Sequence, residues 1–152
     1  MTIVSAAMRL RLAEPRDADS LAELATELGY PSTADQIADR MRLLRATREL
    51  HHEIYVAEEP EGVAVGWLHL YVAYHLETDP FAEIGGLVVA DGRRGAGVGA
   101  ALVAEAERWA REHGLDRLRV RSNVVRERAH RFYERVGFAR LKSQVVFEKR
   151  LG

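Results

Sequence analysis

Hydrophobic and polar residues alternate with two different periods along this chain, and these periods predict an ordered series of strands and helices. Residues 8–12 alternate apolar side chains with arginine, as a half-buried strand does. Apolar residues then recur with helical spacing over residues 21–28, and Gly29 is a suitable stop. Thr33 and Gln36 fit a capping box, so a second helix is expected soon after the first.

Strand patterns dominate the middle of the chain. Residues 53–57 form a short predicted strand, and residues 63–73 form a longer one after a turn-like segment, which together indicate a hairpin. Gly66 interrupts the longer strand and indicates a bulge or a close approach of another backbone. A third apolar run ends at Val89, just before an Asp-Gly turn pair.

The last third of the chain returns to helices. The spacing predicts a helix over residues 97–113, a strand at residues 118–120 and a second helix over residues 126–136. Two short strand patterns, 138–141 and 144–149, predict a closing hairpin. The element order is β-α-α-β-β-β-α-β-α-β-β. Meander strands combined with strand-helix-strand crossovers predict a mixed α/β sheet with helices on its faces, in a single domain.

The composition narrows the class of protein. A chain of 152 residues has the size of one ordinary domain. It has no cysteine, which excludes disulfides, cysteine nucleophiles and cysteine metal ligands. The six histidines lack the i, i+4 spacing of helical metal ligands, so no metal site is expected. The apolar segment 3–8 is too short for a membrane span and has no basic n-region, so we expect a soluble cytoplasmic protein without a membrane partner.

Charge is divided unevenly along the chain, although the net charge is only −1. Residues 1–92 hold seven Arg and 16 Asp or Glu, a net charge of −9, whereas residues 93–152 hold 15 Lys or Arg and seven acids, a net charge of +8. Two interpretations stay open: ordinary solvated surfaces, or a basic half for a polyanionic cofactor and an acidic half for a cationic substrate. No nucleic-acid partner is expected, because the basic residues are interleaved with apolar ones and no binding motif is present.

The most informative segment joins the third apolar run to the helix after it. Gly95, Gly97 and Gly99 alternate there, although a glycine inside a helix costs about 1 kcal/mol relative to alanine. A first helical turn has unpaired N–H groups and the positive end of the helix dipole, and glycines let a ligand approach that backbone. An anion, and phosphate above all, is the expected ligand.

Three known phosphate-binding patterns compete for these glycines. A nucleotide-hydrolase P-loop needs Gly-Lys followed by Ser or Thr, and both lysines of the chain are far away in sequence. Residues 95–100 satisfy the relaxed dinucleotide fingerprint Gly-x-Gly-x-x-Ala, but the next strand ends near Arg121 without the required acidic residue. The third pattern is Arg-x-x-Gly-x-Gly, present here from Arg94 to Gly99.

This third pattern resembles the acetyl-CoA loop of the GCN5-related N-acetyltransferase (GNAT) superfamily. A second segment, residues 129–138 with Phe132, Tyr133 and Gly137, resembles the last helix of that family and the strand after it. The two motifs lie at the family's usual separation, and the predicted element order covers nearly the whole chain. The resemblance implies the GNAT fold and an N-acetyltransferase that uses acetyl-CoA as its co-substrate.

The resemblance also implies which residues bind acetyl-CoA. Backbone N–H groups of the loop and first helical turn hold the pyrophosphate, and the strand before the loop pairs with the pantetheine arm. Many relatives place an Asn before the last helix to contact pantetheine; Arg126 stands at that position here, and Asn123 is nearby but out of register. The implied cofactor-binding residues are Leu87, Val88, Val89, Arg94, Gly95, Ala96, Gly97, Val98, Gly99, Ala100, Asn123 and Arg126.

Two residues are candidates for acid–base chemistry, because a protonated amine must lose a proton and the departing thiolate must gain one. Tyr133 is the candidate general acid: the family places a Tyr at this helix position beside the sulfur, and its alternative role is a core aromatic. Glu83 is the candidate general base, since residues 81–84 resemble the catalytic-Glu segment of the histone-acetylating branch. Its alternative role is to orient the amine while water acts as the base.

The acceptor is less well defined than the donor. We expect a small polar or cationic primary amine, attacked directly in a ternary complex; a protein lysine or N-terminus, and a non-catalytic acetyl-CoA sensor, are the alternatives. Family members often dimerise, so a homodimer is also open. The groups suited to seat a cationic amine, unless they belong to the core, are Tyr30, Trp67, Tyr71, Tyr74, Glu77 and Asp79.

Overall fold

The computed structural model describes residues 2–5, 8–47 and 51–152, so Ala6 and Ala7 of the apolar segment 3–8 lie outside the described residues. The strands are β1 (Thr2–Ser5), β2 (Met8–Leu12), β3 (Glu53–Glu58), β4 (Ala64–His75), β5 (Thr78–Val89) and β6 (Leu118–Val120). The helices are α1 (Ala18–Leu28), α2 (Ala34–Ala46), α3 (Val98–Glu112) and α4 (Glu127–Arg135). Short 3₁₀ turns occupy Pro15–Asp17 and Asp91–Arg93.

The six strands form one mixed sheet in the order β1-β2-β3-β4-β5-β6. Neighbouring strands from β1 to β5 are antiparallel, whereas β6 runs parallel to β5. A parallel neighbour needs a crossover connection, and α3 supplies it. The predicted fold class, a mixed α/β sheet flanked by helices, is confirmed.

The two ends of the chain differ from the predicted element order. β1 precedes the first predicted strand and pairs with β2. The closing strands predicted at residues 138–141 and 144–149 are absent, because residues 138–152 have no regular secondary structure. A strand forms only where a neighbouring edge accepts its hydrogen bonds, which the composition of a segment does not specify.

Helices α1 and α2 cover one face of the sheet. The predicted capping box is confirmed: Thr33 Oγ1 accepts from the Gln36 N–H at 3.1 Å, and Gln36 Oε1 accepts from the Thr33 N–H at 3.0 Å. Leu21 of α1 and Met41 of α2 pack with Val56 of β3 in a buried cluster. The two helices therefore form one wall of the molecule, as their apolar stripes predict.

Gly66 lets α3 lie close against the opposite face. A Cβ atom at this position would stand 2.9 Å from Val88 O and 3.1 Å from Val98 Cγ1, closer than real contacts allow. The pairing of β3 with β4 also shifts register beside it. Both readings of this glycine, the bulge and the close approach, are confirmed.

A buried ion network ties β2 to β3 and to the start of α1. Arg11 donates from both terminal nitrogens to Asp17 at 2.8 Å and from Nε to Glu58 at 3.0 Å. Arg9 Nε donates to the other oxygen of Glu58 at 2.6 Å. Burial acts to raise the pKa of both carboxyl groups, but the arginine hydrogen bonds outweigh it and the pKa of each is lowered.

The chain divides into two compact units, Met1–Val120 and Arg121–Gly152. The first unit holds the sheet and helices α1 to α3, and the second holds α4 and the C-terminal segment. Within the part of the chain that the structure describes, no helix combines the length and apolarity that a membrane crossing requires. A single functional domain stays a prediction.

Candidate active site

Strand β5 has one edge that is only partly used. It pairs with β4 along nearly its whole length, but β6 covers only Ala82 to Ile84 on the other side. Gly85 is an extra residue in the pairing with β4, because His69 lies opposite Gly86 while Leu70 lies opposite Ile84. From Gly85 onward, this edge of β5 therefore has no partner among the described strands.

Backbone register shows which groups point toward the open edge. The Ala90 N–H donates to Val65 O at 2.9 Å, so Ala90 and Val88 direct their backbone groups toward β4. Leu87 and Val89 alternate with them and direct their N–H and C=O groups toward the open edge. Val88, the middle residue of the predicted pantetheine-binding run, is instead buried in the core at 3% exposure.

Glu83 is a buried carboxylate on the same strand. It is 5% exposed and stands directly opposite Tyr71 of β4. The Tyr71 hydroxyl donates a hydrogen bond to Glu83 Oε2. On the other side, the register pairs Glu83 with Arg119 of β6. The predicted base thus lies where three strands meet, held by a phenol.

A cluster of imidazole rings, which no sequence motif of the chain predicts, adjoins Tyr71. His52 Nδ1 and His69 Nε2 lie 2.9 Å apart, and the rings of His52, His69 and Tyr71 pack with centroids 5.2–5.6 Å apart. Burial lowers the pKa of His69 to about 4 and also lowers the pKa of His52, so both are neutral near pH 7. The described residues contain no group of three His, Asp or Glu placed to hold a metal ion.

Two adjacent glycines make room for these rings. A Cβ atom on Gly85 would stand 2.7 Å from His69 Nδ1, and one on Gly86 would stand 2.7 Å from Trp67 Cζ3. Any side chain at either position would therefore displace a ring of β4. The spacing of His69 and Tyr71 by two residues on one strand face was a usable signal, but linking it to Glu83 requires the strand register.

The glycine loop before α3 is open to solvent and shaped for an anion. Gly95 and Gly97 have φ angles of 84° and 86°, a region that other residues avoid, so these two glycines serve the loop and only Gly99 lies inside the helix. The first helical bond runs from the Ala101 N–H to Gly97 O at 3.0 Å. The N–H groups of residues 98–100 precede it and point out of the helix start. Every residue from 91 to 97 is exposed.

Arg94 already has an acidic neighbour. Its guanidinium lies 2.8 Å from an Asp91 carboxylate oxygen. The adjacent Arg93 pairs with Glu59, with one contact at 3.1 Å. Arg93 thus ties the loop to Glu59, whereas Arg94 pairs within the loop. The N–H groups of Arg94 and Ala96 donate to Asp91 O at 3.4 Å and to Arg93 O at 3.2 Å.

The other three site candidates lie in the unit Arg121–Gly152. Tyr133 is half-buried on α4, with its ring 5.2 Å from Phe132 and 5.5 Å from Phe138. Asn123 builds the turn that starts α4: its Oδ1 accepts from the Val125 N–H at 3.1 Å and its carbonyl accepts from the Arg126 N–H at 3.0 Å. Arg126 is the residue that precedes the first turn of α4.

The six residues that are candidates for the acceptor site lie in different environments. Glu77 and Asp79 line a cavity of about 450 Å³ at the β4–β5 turn, where Arg117 donates to Asp79 O at 2.7 Å. Tyr71 holds Glu83, whereas Trp67 packs against the α1–α2 core. Tyr30 and Tyr74 are more than half exposed. The acidic pair, Tyr71 and Trp67 all adjoin β5.

Comparison with known proteins identifies relatives over nearly the whole chain. The model of the acetyltransferase (GNAT) family matches residues 18–138. The aminoalkylphosphonate N-acetyltransferase of Salmonella typhimurium is 32% identical over 135 residues, which cover 85% of this chain and 83% of that protein. The aminoglycoside N(6')-acetyltransferase type 1 of Serratia marcescens is 25% identical over 138 residues, which cover 88% and 93%.

The fold also matches a solved structure. The aminoglycoside N-acetyltransferase AAC(6')-Iy in complex with CoA superposes with a TM-score of 0.82, covering 99% of this chain and 100% of that one. The two sequences are 18% identical, so the likeness is one of fold. It confirms the GNAT architecture expected from the two sequence motifs.

Proposed function

This chain belongs to the acetyltransferase (GNAT) family, and on that basis we propose that it acetylates the primary amine of a small polar or cationic molecule by direct attack. The amine nitrogen bonds to the thioester carbonyl carbon of acetyl-CoA, the carbon–sulfur bond breaks, and CoA leaves as a thiol. A cysteinyl acyl-enzyme is excluded because the chain has no cysteine. The observation that carries the proposal is β5, where a buried carboxylate and an open backbone edge share one strand.

Acetyl-CoA binds along β5 and the glycine loop in this proposal. The open-edge groups of Leu87 and Val89 pair with the pantetheine arm as a further strand would, next to the side chain of Val88. The N–H groups of the loop and first turn receive the pyrophosphate. The segment is Arg94, Gly95, Ala96, Gly97, Val98, Gly99 and Ala100, in which the N–H groups of Arg94 and Ala96 already donate within the loop. Asn123 acts by shaping the start of α4, and Arg126 lies at the position where many relatives have Asn.

Glu83 removes the proton from the ammonium form of the acceptor. A carboxylate at 5% exposure is shielded from water, so its interaction with an ammonium is stronger than at the surface. The Tyr71 hydrogen bond fixes its direction. A positioned base of this kind typically contributes 10²- to 10⁴-fold in rate.

Tyr133 supplies the proton that the CoA thiolate needs. The phenol ring is held between Phe132 and Phe138, which leaves few orientations for its hydroxyl. Tyr133 and Glu83 thus have opposite roles, one giving a proton to sulfur and the other taking one from nitrogen.

The acidic turn of β4 and β5 favours a cationic acceptor. Glu77 and Asp79 contribute two carboxylates to the cavity at this turn, against one guanidinium from Arg117. The named relatives acetylate aminoglycosides and aminoalkylphosphonates, which differ in charge away from the reacting amine. A chain carrying both Glu77→Gln and Asp79→Asn should therefore raise KM for an aminoglycoside more than for an aminoalkylphosphonate. Equal KM values before and after the change would remove this cavity from the acceptor site.

Thiol release from acetyl-CoA tests the function directly. The protein has no cysteine, so a thiol-reactive chromophore reports only the CoA produced. We expect saturable release with an aminoglycoside, an aminoalkylphosphonate or a polyamine, and a product heavier by one acetyl group in mass spectrometry. Release with lysine peptides alone would indicate a protein acetyltransferase. Acetyl-CoA binding without release for any amine would indicate a sensor.

A further inference from the structure

Arg119 is a cation that stands beside the proposed base, and the proposed reaction gives it no role. It lies on β6, and the parallel pairing of β5 with β6 places it opposite Glu83. Side chains at paired positions stand on the same face of a sheet, so Arg119 shares a face with Glu83 and with Tyr71. A charge at this position acts on any molecule that approaches Glu83 on that face.

The guanidinium of Arg119 is held by an aromatic ring rather than by an acid. Its central carbon lies 4.1 Å from the centroid of the Phe81 ring, and Phe81 precedes Glu83 by two residues on β5. Among the described residues of the unit Met1–Val120, no carboxylate forms an ion pair with Arg119. A ring holds the positive charge but accepts no ordinary hydrogen bond, so the N–H groups keep their capacity for an oxyanion.

Other arginines of the same unit are already paired. Arg117 also contacts the Phe81 ring, at 5.5 Å, but it donates to the Asp79 carbonyl oxygen at 2.7 Å. Arg11 pairs with two buried carboxylates. Arg119 differs from both, because the described residues of its unit supply it with a ring and no oxygen acceptor. Its N–H groups thus suit an oxyanion of a bound molecule, which a guanidinium holds through two parallel hydrogen bonds.

We propose, on the basis of the proposed acetyl transfer, that Arg119 binds an acidic group of the acceptor while Glu83 receives its amine. The preferred acceptor is thus a zwitterion, a small amine that also carries a phosphonate or a carboxylate. Phe81 and Glu83 are two positions apart, which spans about 6.6 Å along a strand. An amine and an acid joined by about two or three carbon atoms, each hydrogen-bonded at about 2.8 Å, can bridge this span.

The acidic turn of β4 and β5 does not compete with this assignment. Glu77 and Asp79 lie beyond Phe81 along the chain, at the turn where Arg117 is their cationic neighbour. A second cationic group of a longer acceptor is attracted to that turn, whereas a cation directly beside Arg119 is repelled. Arg119 therefore selects the group next to the reacting amine, and the turn selects a more distant one.

Thiol-release assays with amines of similar length test the assignment. Aminoethylphosphonate and β-alanine each carry an amine and an acid, whereas propylamine lacks the acid. The wild type should have a kcat/KM for at least one of the two zwitterions that exceeds the value for propylamine by about tenfold or more. Arg119→Gln should lower kcat/KM for that zwitterion by about tenfold or more, with kcat/KM for propylamine and KM for acetyl-CoA unchanged. The zwitterion with the higher value identifies the acid that Arg119 binds.

Arg119→Lys and Arg111→Gln are the matched controls. Lysine keeps the charge but not the planar fork of donors, so Arg119→Lys should retain part of the preference for the zwitterion. Arg111→Gln removes the same charge from an exposed position on α3 and should leave the preference intact. A wild type that prefers neither zwitterion to propylamine, or a preference that Arg119→Gln retains, overturns the proposal.

A measurement on the wild type alone applies even if Arg119→Gln does not fold. Ethylphosphonate and propionate carry the acid without the amine, so at least one of them should inhibit competitively against the acceptor and not against acetyl-CoA. Absence of inhibition by both contradicts the proposal. The rate with propylamine reports acetyl transfer itself, so a missing preference for zwitterions leaves the proposed reaction standing. Failure to acetylate any of the three amines would defeat both proposals.

Discussion

Two glutamates of the same sheet are almost equally buried, and each accepts a hydrogen bond from a different kind of side chain. Glu58 of β3 is 2% exposed and accepts hydrogen bonds from two guanidinium groups, those of Arg9 and Arg11. Glu83 of β5 is 5% exposed and accepts one from the neutral hydroxyl of Tyr71. A guanidinium stays charged at every ordinary pH and so keeps its carboxylate ionised.

In the proposed mechanism, Glu58 is a structural carboxylate and Glu83 is a chemical one. A carboxylate bound on both oxygens by arginine gains most of its stabilisation from staying charged, and a proton added to it would break those ion pairs. A phenol can donate to a carboxylate and, after rotation of its O–H bond, accept from a carboxylic acid. The Tyr71 hydroxyl therefore stays a suitable partner when Glu83, in the proposed mechanism, takes the proton of the amine.

The largest effects are expected when each of the two glutamates is replaced by glutamine in a separate variant. Glu83→Gln should lower kcat by about 10²-fold or more, because the amide cannot take a proton from the amine. Thermal unfolding should change little, since glutamine still accepts a hydrogen bond from Tyr71. Steady-state kinetics and calorimetry on the same preparation check both statements.

Glu58→Gln is the matched control and should behave in the opposite way. Removing one charge of a buried pair costs about 3–5 kcal/mol, so the melting temperature should fall by about 10 °C while kcat is retained. Loss of activity in a folded Glu58→Gln protein would contradict the division into structural and chemical carboxylates. So would a Glu83→Gln protein with a full rate.

A second test concerns the proton donor. Tyr133→Phe should lower kcat by about tenfold or more with little change in KM for acetyl-CoA, because only the hydroxyl is removed and the ring contacts remain. Stopped-flow thiol detection gives the rate of the chemical step. An unchanged rate would remove Tyr133 from the mechanism and leave it as a packing residue.

The phenol that holds Glu83 should have a smaller effect. Tyr71→Phe removes a hydrogen bond to a carboxylate and should lower kcat by roughly tenfold, since such bonds contribute about 1.5 kcal/mol at the low end. Tyr55→Phe is the control: its hydroxyl contacts Arg108 at 3.4 Å on the α3 side of the sheet. An unchanged kcat in Tyr71→Phe would show that Tyr71 does not position the base.

The smallest expected effect is a pH dependence of stability. The folded pKa of His69, about 4, lies below its ordinary value of 6.5. The contribution of its neutral ring to the free energy of unfolding is therefore complete above pH 6.5 and is lost as the pH falls toward 4. The loss is at most about 3 kcal/mol. The lowered pKa of Glu58 places its own loss at lower pH, below the ordinary carboxyl range. Urea titrations should show less decline between pH 6.5 and 4 for His69→Phe than for the exposed-residue control His75→Gln.

Local patterns were sufficient to predict most of the fold. The capping box of Thr33 and Gln36 and the helix after the glycine loop depend on residues a few positions apart, and these features are confirmed. The imidazole cluster joins His52 to His69 and so depends on how β3 pairs with β4. A single sequence indicates which face of a strand each residue occupies, but it does not indicate the register of that strand with its neighbour.

The predicted closing hairpin and the loop glycines also show what a local sequence pattern leaves open. Residues 144–149 have a strand composition, but composition does not specify which edge receives a strand. The spacing of Gly95 and Gly97 predicts that they let a ligand approach, whereas their positive φ angles are by themselves a sufficient reason for glycine at these loop positions. The prediction that this loop binds phosphate agrees with the geometry but rests on the family and the exposed N–H groups.

Gly66 has a consequence that reaches beyond its own contacts. Its missing side chain lets α3 approach β4 closely, because an added Cβ atom would stand 3.1 Å from Val98 Cγ1 and 3.2 Å from Leu102 Cδ1 of that helix. In the proposed complex, β5 holds the thioester end of acetyl-CoA and the start of α3 holds its phosphates. Gly66 thus sets the distance between the two parts of the protein that hold the two ends of one bound molecule. An added methyl group at Gly66 would impair the fit of the enzyme to acetyl-CoA, although every proposed donor-binding and catalytic residue in the sequence would be unchanged.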